Sequence, residues 1–372
     1  MLTIAIPQLY CGASGRKGAY NRQEVGLARA FAALGCRALA IYPDTSLSAP
    51  EAEDLEPNVR VLYLPARALA VHAFYKSWQP LLDEEVDAVH VMGDNSLGVP
   101  GLYRFCQKHG IFFYSQLGAL KSDSRTPAVR LVMDLLLRRN LAVYRRTPTY
   151  AKTPAVAKEI ESLGVSCAGV MPVGLDTAII PMIPGSAAEI RAELKLDPAA
   201  RYLLFVGRLD PYKRPMALPP LMKQLGEEWH LIVIGKGSQA EDLDAAMEPY
   251  GDRYTRIPAL PNTAVHAYYH ACDVFVNLND HEIFGMSLLE AMYAGCPPAA
   301  RRAPGPELII EDGVSGVLAD TDAALPDAVR RAAADPEMGI AAQRRVNEQF
   351  LWGNSAETAL AMLEKRGVPA HG

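Results

Sequence analysis

Short apolar runs alternate with longer stretches in which apolar residues recur at helical spacing, along the whole chain. Residues 2–6 read as a strand. Residues 22–34 set their apolar side chains on one helical face, and Gly35 follows as a C-cap. Further strands are predicted at 38–42, 59–64, 88–92, 111–114 and 168–171. Strands that alternate with helices imply a parallel sheet with helices on both faces. The pattern then restarts. Residues 202–206 and 231–234 are near-continuous apolar runs, as strands buried on both faces should be. Strands at 273–276 and 314–318 follow, and a helix is predicted at 355–365. Between the halves, 172–184 is rich in Pro and Gly and weakly patterned, and is expected to be a linker. The chain therefore reads as two doubly wound Rossmann-like α/β domains. Such sheets bind ligands at the carboxyl ends of their strands, and two of them place the default site in the cleft between.

Composition narrows this picture. The 372 residues are half hydrophobic and 21% charged, a globular composition with ample core. A net charge of −5 gives no general attraction to nucleic acid or to anionic lipid, and no nucleic-acid partner is expected. The six cysteines are scattered, without C-x-x-C spacing or clustered histidines, and are expected to be free thiols in a reducing compartment. The first six residues have no basic region and their apolar run stops at Pro7, so no signal peptide is expected. No window approaches the length of a spanning helix, and the expected location is cytoplasmic, peripheral at the inner face of a membrane.

Two stretches could carry chemistry. Gly207-Arg208-Leu209-Asp210-Pro211-Tyr212-Lys213 follows directly on the strand at 202–206. Gly207 permits a sharp turn. Arg208 and Lys213 at a strand's carboxyl end suit a diphosphate, with Arg giving forked hydrogen bonds and Lys a point charge. The plainer alternative is a solvated loop. The second stretch, His281-Glu282-Ile283-Phe284-Gly285-Met286-Ser287-Leu288-Leu289-Glu290, follows the strand at 273–276 and runs into a helix. Backbone N–H groups from Phe284 to Ser287 could bind an anion there, and the two carboxylates could accept from sugar and ribose hydroxyls. Ser287-Leu288-Leu289-Glu290 also matches a capping box, which would give Glu290 a helix-closing role alone. No capping role covers Glu282.

Together the two stretches resemble family 4 of the retaining GT-B glycosyltransferases, which has a G-R-L-x-x-x-K loop and, about 70 residues on, an E-x7-E motif. Val233-Ile234-Gly235-Lys236-Gly237 is similar to that family's hydrophobic-Gly-x-Gly turn. Glu290-Ala291-Met292-Tyr293-Ala294-Gly295-Cys296-Pro297 is similar to its E-A-M-x-x-G-x-P segment, and Pro172-Val173-Gly174-Leu175-Asp176 resembles its linker. The resemblance implies two Rossmann-like domains facing each other across a cleft. The expected bounds are an acceptor-side domain over 1–178, a nucleotide-sugar-binding domain over 179–354, and a helix within 355–370 that crosses back. It implies that Arg208 and Lys213 bind the donor pyrophosphate, that Glu290 holds the ribose, and that Glu282 and the 284–287 amides hold the transferred sugar. The base would lie at Ile257-Pro258, and Gly15 would close over the phosphates. On the acceptor side, Arg16 is a candidate. Gln116 stands where many members carry a His, and His90 is a second candidate for that role. The expected reaction is sugar transfer, with retention, from a UDP- or GDP-sugar to a hydroxyl on a glycan or lipid-linked acceptor, with no cofactor beyond the nucleotide sugar. The alternative is a non-catalytic glycan-binding or chaperone subunit.

The chain carries three other signals. Gly12-Ala13-Ser14-Gly15-Arg16-Lys17-Gly18 has dehydrogenase-like glycine spacing, but no Tyr has Lys four residues later, so that catalytic pair is missing. Asp242-Leu243-Asp244 and Asp320-Thr321-Asp322 look like metal-holding D-x-D strings; both are expected to be solvated surface, and no metal is expected. Residues 121–152 hold eight basic residues against two acidic ones, with an apolar stripe at Val129, Leu131, Val132, Leu135 and Leu136. An amphipathic core helix is one reading; a peripheral membrane contact is the other.

Overall fold

The apolar runs become the buried strands of two sheets. The computed structural model describes residues 1–11, 22–118, 120 and 127–368, without the side chains of 127–129. The chain divides into two compact units: Met1–Asp176 with Trp352–Gly372, and Thr177–Leu351.

The first unit has nine strands among the described residues: β1 (Thr3–Pro7), β2 (Arg37–Asp44), β3 (Glu51–Glu56), β4 (Val59–Leu69), β5 (His72–Tyr75), β6 (Ala88–Val91), β7 (Phe112–Leu117), β8 (Thr149–Ala151) and β9 (Cys167–Val170). Their order is β3-β4-β2-β1-β6-β7-β8-β9, with β5 paired to β4. All pairings are parallel except those of β3 and β5 with β4. Ile4, Ala5 and Ile6 at the centre are fully buried. The helix Gln23–Ala33 packs on the returning helix Trp352–Lys365, and Gly26 makes this possible: a Cβ there would stand 2.6 Å from the Trp352 ring nitrogen. Ser355 Oγ also donates to the Pro172 carbonyl at 2.6 Å.

Two elements had no apolar signal. β3, Glu-Ala-Glu-Asp-Leu-Glu, is an exposed acidic edge strand, the kind of charged edge that discourages further pairing. It is held by its ladder to β4 and by Arg60 on Asp54. β4 runs past Pro65 to Leu69 and turns back as β5 through Ala70-Val71, without the Gly or Asn that marks such turns.

The second unit has β10 (Arg201–Val206), β11 (Trp229–Ile234), β12 (Tyr254–Ile257), β13 (Val274–Asn277), β14 (Pro298–Arg301) and β15 (Val317–Ala319). The order is β12-β11-β10-β13-β14-β15, all parallel. Leu203, Phe205, Leu231, Val233, Val274 and Val276 meet Leu221, Met222 and Val329 from the covering helices in one core. The strand order reverses between β10 and β13, which makes their carboxyl ends the switch point where α/β sheets take ligands.

Four of the cysteines are buried and all six are free. Asp244 is paired with Arg256, Asp320 with Arg302, and Asp322 with Arg214 and Arg301. Among the described residues no helix is long and apolar enough to cross a membrane. In the helix Pro127–Tyr144 the buried face is Leu137, Asn140, Leu141 and Tyr144. Of the predicted apolar stripe, Leu131 is 72%, Val132 55% and Leu135 58% exposed, Leu136 is half-buried, and the Val129 side chain lies outside the described residues. The core-helix reading of that stripe is therefore corrected.

Candidate functional site

The loop after β10 and the turn after β11 are packed backbone on backbone. Leu209 N–H donates to Lys236 O at 3.0 Å, and Gln239 N–H to Leu209 O at 2.8 Å. A Cβ on Gly235 would lie 1.9 Å from Gly207 O, and one on Gly237 would lie 2.4 Å from the Leu209 carbonyl carbon. Only glycine fits either place. Gly235 N–H reaches on to Ile257 O, at the end of β12 beside Pro258.

Asp210 locks this pair of loops. Its Oδ1 accepts from the Ser238 amide (3.0 Å) and hydroxyl (2.9 Å); its Oδ2 accepts from Arg208 Nε at 2.7 Å. The Ser238 amide and hydroxyl, with Arg208 adding to them, hold the Asp210 carboxyl at about 2. Arg208 is 72% exposed, and Asp210 orients its guanidinium. Its remaining N–H donors stay available to an anion.

Across the switch point, Lys213 Nζ is bonded to Glu282 Oε2, which also accepts from Asn279 Nδ2 at 3.3 Å. Both members of the pair are largely buried. Lys213 comes from the loop after β10 and Glu282 from the loop after β13. Gly305 N–H donates to Glu282 O at 2.8 Å, and a Cβ on Gly305 would stand 2.1 Å from Phe284 O, so the 282–285 turn rests directly on Gly305.

The helix Met286–Tyr293 begins from Gly285, at φ 108°, and no side chain caps it. Ser287 lies inside the helix, so the capping box is corrected: the left-handed Gly285 moves the helix start one residue ahead of Ser287. Glu290 instead takes hydrogen bonds from Tyr269 Oη (3.1 Å) and Asn262 Nδ2 (3.3 Å), both on the helix Asn262–Ala271, and is only 3% exposed. Glu290→Ala is expected to remove both hydrogen bonds and destabilise the second unit by about 1–3 kcal/mol. A thermal melt that falls for Glu290→Ala and largely recovers for Glu290→Gln checks this; an unchanged melt for Glu290→Ala would remove the latch role.

The acceptor-side candidates fare differently. Gly15 and Arg16 lie outside the described residues. Gln116 and His90 are fully buried. Gln116 Nε2 donates to Met171 O (2.7 Å) and Pro172 O (3.0 Å), and its Oε1 meets His90 Nε2 at 3.2 Å. Burial lowers the His90 pKa to about 4. Their placement on the surface for an acceptor is therefore corrected. Both strands are buried on both faces, so at these carboxyl ends Gln116 and His90 satisfy each other and the Met171–Pro172 backbone. The pair that reaches the carboxyl edge of this sheet is Asp94, after β6, and Lys152, after β8, at 3.9 Å. Asp94 also accepts from Gly118 N–H at 2.5 Å. Like Asp210, Ser238 and Gly305, this pair had no motif to announce it.

Residues 186–349 match the family described as Glycosyl transferases group 1. The D-inositol 3-phosphate glycosyltransferase of Segniliparus rotundus is 34% identical over 41% of this chain, a match that spans 35% of that protein. The one from Xylanimonas cellulosilytica is 25% identical over 98% of this chain and 95% of its own length. In fold, the chain is similar to Anabaena HepE, solved in complex with UDP and glucose, with 17% identity, 98% and 100% of the two chains covered, and a TM-score of 0.74. The chain has the GT-B fold, and its residues 186–349 are similar to the group 1 glycosyl transferases.

Proposed function

We propose that the chain transfers a sugar, with retention, from a nucleoside-diphosphate sugar to a hydroxyl acceptor. The observation that carries this is the Lys213–Glu282 pair, set across the switch point between β10 and β13 within the residues similar to group 1 glycosyl transferases. Cleavage of the donor puts negative charge on the leaving phosphate and positive character on the sugar carbon. Arg208 and Lys213 supply the cations for the first, in a site arranged before the reaction begins. Glu282 accepts from sugar hydroxyls and Glu290 from the ribose. The 284–287 amides complete the sugar's contacts, and Ile257-Pro258 face the base. HepE's complex with UDP and glucose supports a UDP-sugar as the first donor to test. With Gln116 and His90 buried, the proton of the acceptor hydroxyl passes to the leaving phosphate as the new bond forms on the same face.

The acceptor is read as a glycan or lipid-linked glycan at a cytoplasmic membrane surface. Support comes from the helix Pro127–Tyr144, whose outward Leu131, Val132 and Leu135 are followed by exposed Arg138 and Arg139. Lys121 and Arg125 of the same basic segment lie outside the described residues.

A panel of UDP-, GDP- and ADP-sugars, added without acceptor, is expected to give a thermal upshift and slow hydrolysis for at least one donor. Arg208→Ala is expected to lose that shift. Absence of any shift, or full binding by Arg208→Ala, would sink the reading.

A further inference from the structure

A second exposed apolar element in the first unit has no part in the donor site. β4 and β5 form a hairpin that pairs Arg67 with Phe74 and Leu69 with His72. Side chains alternate along a strand, so Arg67, Leu69 and Phe74 share one face. Leu69 is 60% exposed, Val71 at the tip 56% and Phe74 36%. The turn residues are Ala70 and Val71, and Ala70 sits at φ 52°. That left-handed conformation is unfavourable for a residue with a Cβ, and Gly or Asn is the usual choice. Here apolar side chains occupy a tip where polar turn residues would fold more easily.

The hairpin is also held in place. Cys11 N–H donates to Val71 O at 2.7 Å, Ala73 N–H to Leu9 O at 3.0 Å, and the Tyr10 ring lies 5.7 Å from that of His72. Residues 66–79 contain no Asp or Glu; their charged residues are Arg67 and Lys76, both exposed. At the base, the rings of Tyr75 and Trp78 are 4.2 Å apart and partly exposed. The Tyr75 hydroxyl donates inward to Gln8 O at 2.6 Å, which leaves Trp78 as the ring placed for a boundary between apolar and aqueous phases.

Position matters as well. β4 runs parallel to β2 and β1, so the hairpin leaves the sheet at its carboxyl edge. Asn140 Nδ2 and Tyr144 Oη already reach Asp94 O at that edge, so the earlier turns of the same helix, with Leu131 and Leu135, extend beyond it. Two apolar, cation-flanked elements therefore emerge from one edge of one sheet.

We propose that the β4–β5 hairpin inserts its tip into an anionic lipid surface, as a second anchor in addition to the helix Pro127–Tyr144. This deepens the membrane contact proposed above and rests on it. Cations flanking apolar side chains complement anionic head groups. A two-fold contact with a second copy would instead bring Arg67 and Lys76 against their own likes.

The test is co-sedimentation at low salt with vesicles of phosphatidylglycerol and phosphatidylcholine. It compares the full chain with Leu69→Ser/Val71→Ser/Phe74→Ser and with Leu131→Ser/Val132→Ser/Leu135→Ser. All six positions are exposed, and unchanged melting confirms folding. Each triple variant is expected to lower partitioning roughly tenfold or more, and pure phosphatidylcholine or high salt to weaken it further. If the hairpin variant binds like the parent while the helix variant does not, the hairpin proposal alone is overturned. If the parent fails to bind, the membrane reading fails with it. A concentration-dependent dimer that only the hairpin variant loses would overturn the proposal in favour of self-association.

Discussion

Lys213→Ala is expected to lower kcat/KM for sugar transfer by about 100- to 1,000-fold, the usual loss when one pre-placed electrostatic stabiliser is removed. The variant leaves the β10 loop in place, because that loop is held by Leu209, Asp210 and the glycine contacts rather than by Lys213. It also leaves Glu282, 12% exposed, without its cation. Glu282→Ala is expected to fall by a similar factor, since Glu282 orients Lys213 and in the proposed reaction also receives the sugar. The two losses should not add. Once either partner is gone, the other no longer has the geometry it contributes, so the double variant should sit close to the worse single one. Steady-state release of nucleoside diphosphate measures all three. Wild-type turnover by both single variants would remove the pair from the mechanism, whereas fully multiplicative losses would mean two independent roles.

Stability should fall on acidification before most carboxylates titrate, because burial lowers the pKa of His72, His90 and His266, the last two most. Burial lowers His90 and His266 each to about 4. His266 is fully buried and neither ring nitrogen has a partner among the described residues. In the unfolded chain both take protons near 6.5. Between that value and about 4 the unfolded state binds more protons than the folded one, so stability is lost as pH falls through this window and levels off below it. His90 and His266 are each worth about 2 kcal/mol between pH 7 and pH 5. Glu24 acts in the opposite direction: burial raises its pKa, so the folded state takes its proton first on acidification. His266→Phe isolates the effect. It keeps the ring against Tyr269 and removes the titration without orphaning a partner. Urea unfolding at the two pH values should show a drop about 2 kcal/mol smaller for His266→Phe; equal drops would contradict the assignment.

The parts of the fold that could be read from sequence are those in which one residue type repeats for one reason. Residues 202–206, 231–234 and 274–276 are buried on both faces, so each is a continuous apolar run. β3 could not be read that way, because an edge strand needs only its ladder and charge suits its exposure. β5 was hidden by a turn that breaks the usual turn chemistry. In the site, the glycines of Val233–Gly237 were visible as a pattern, but their reason was not: Gly207 O stands where a Cβ on Gly235 would be. Lys213 and Glu282 are 69 residues apart, and only the strand order brings their loops together. Glu290 fitted a capping box by spacing, yet the left-handed Gly285 starts the helix elsewhere. Gln116 matched a motif position while its side chain faces Met171 and Pro172. Spacing along a chain fixes which residues can meet, but not which side of the backbone they take.

The return of Trp352–Lys365 to the first unit has a consequence for synthesis. The second unit, Thr177–Leu351, is an insertion within the first, and every residue of its sheet has been made before Trp352 emerges. The surface of Gln23–Ala33 around Gly26, shaped for the Trp352 ring, must wait through that interval with apolar side chains uncovered. On the ribosome the second unit can therefore finish folding first, while the unit begun first is completed last. A chain cut short near residue 350 would carry a whole second unit on an unfinished first one.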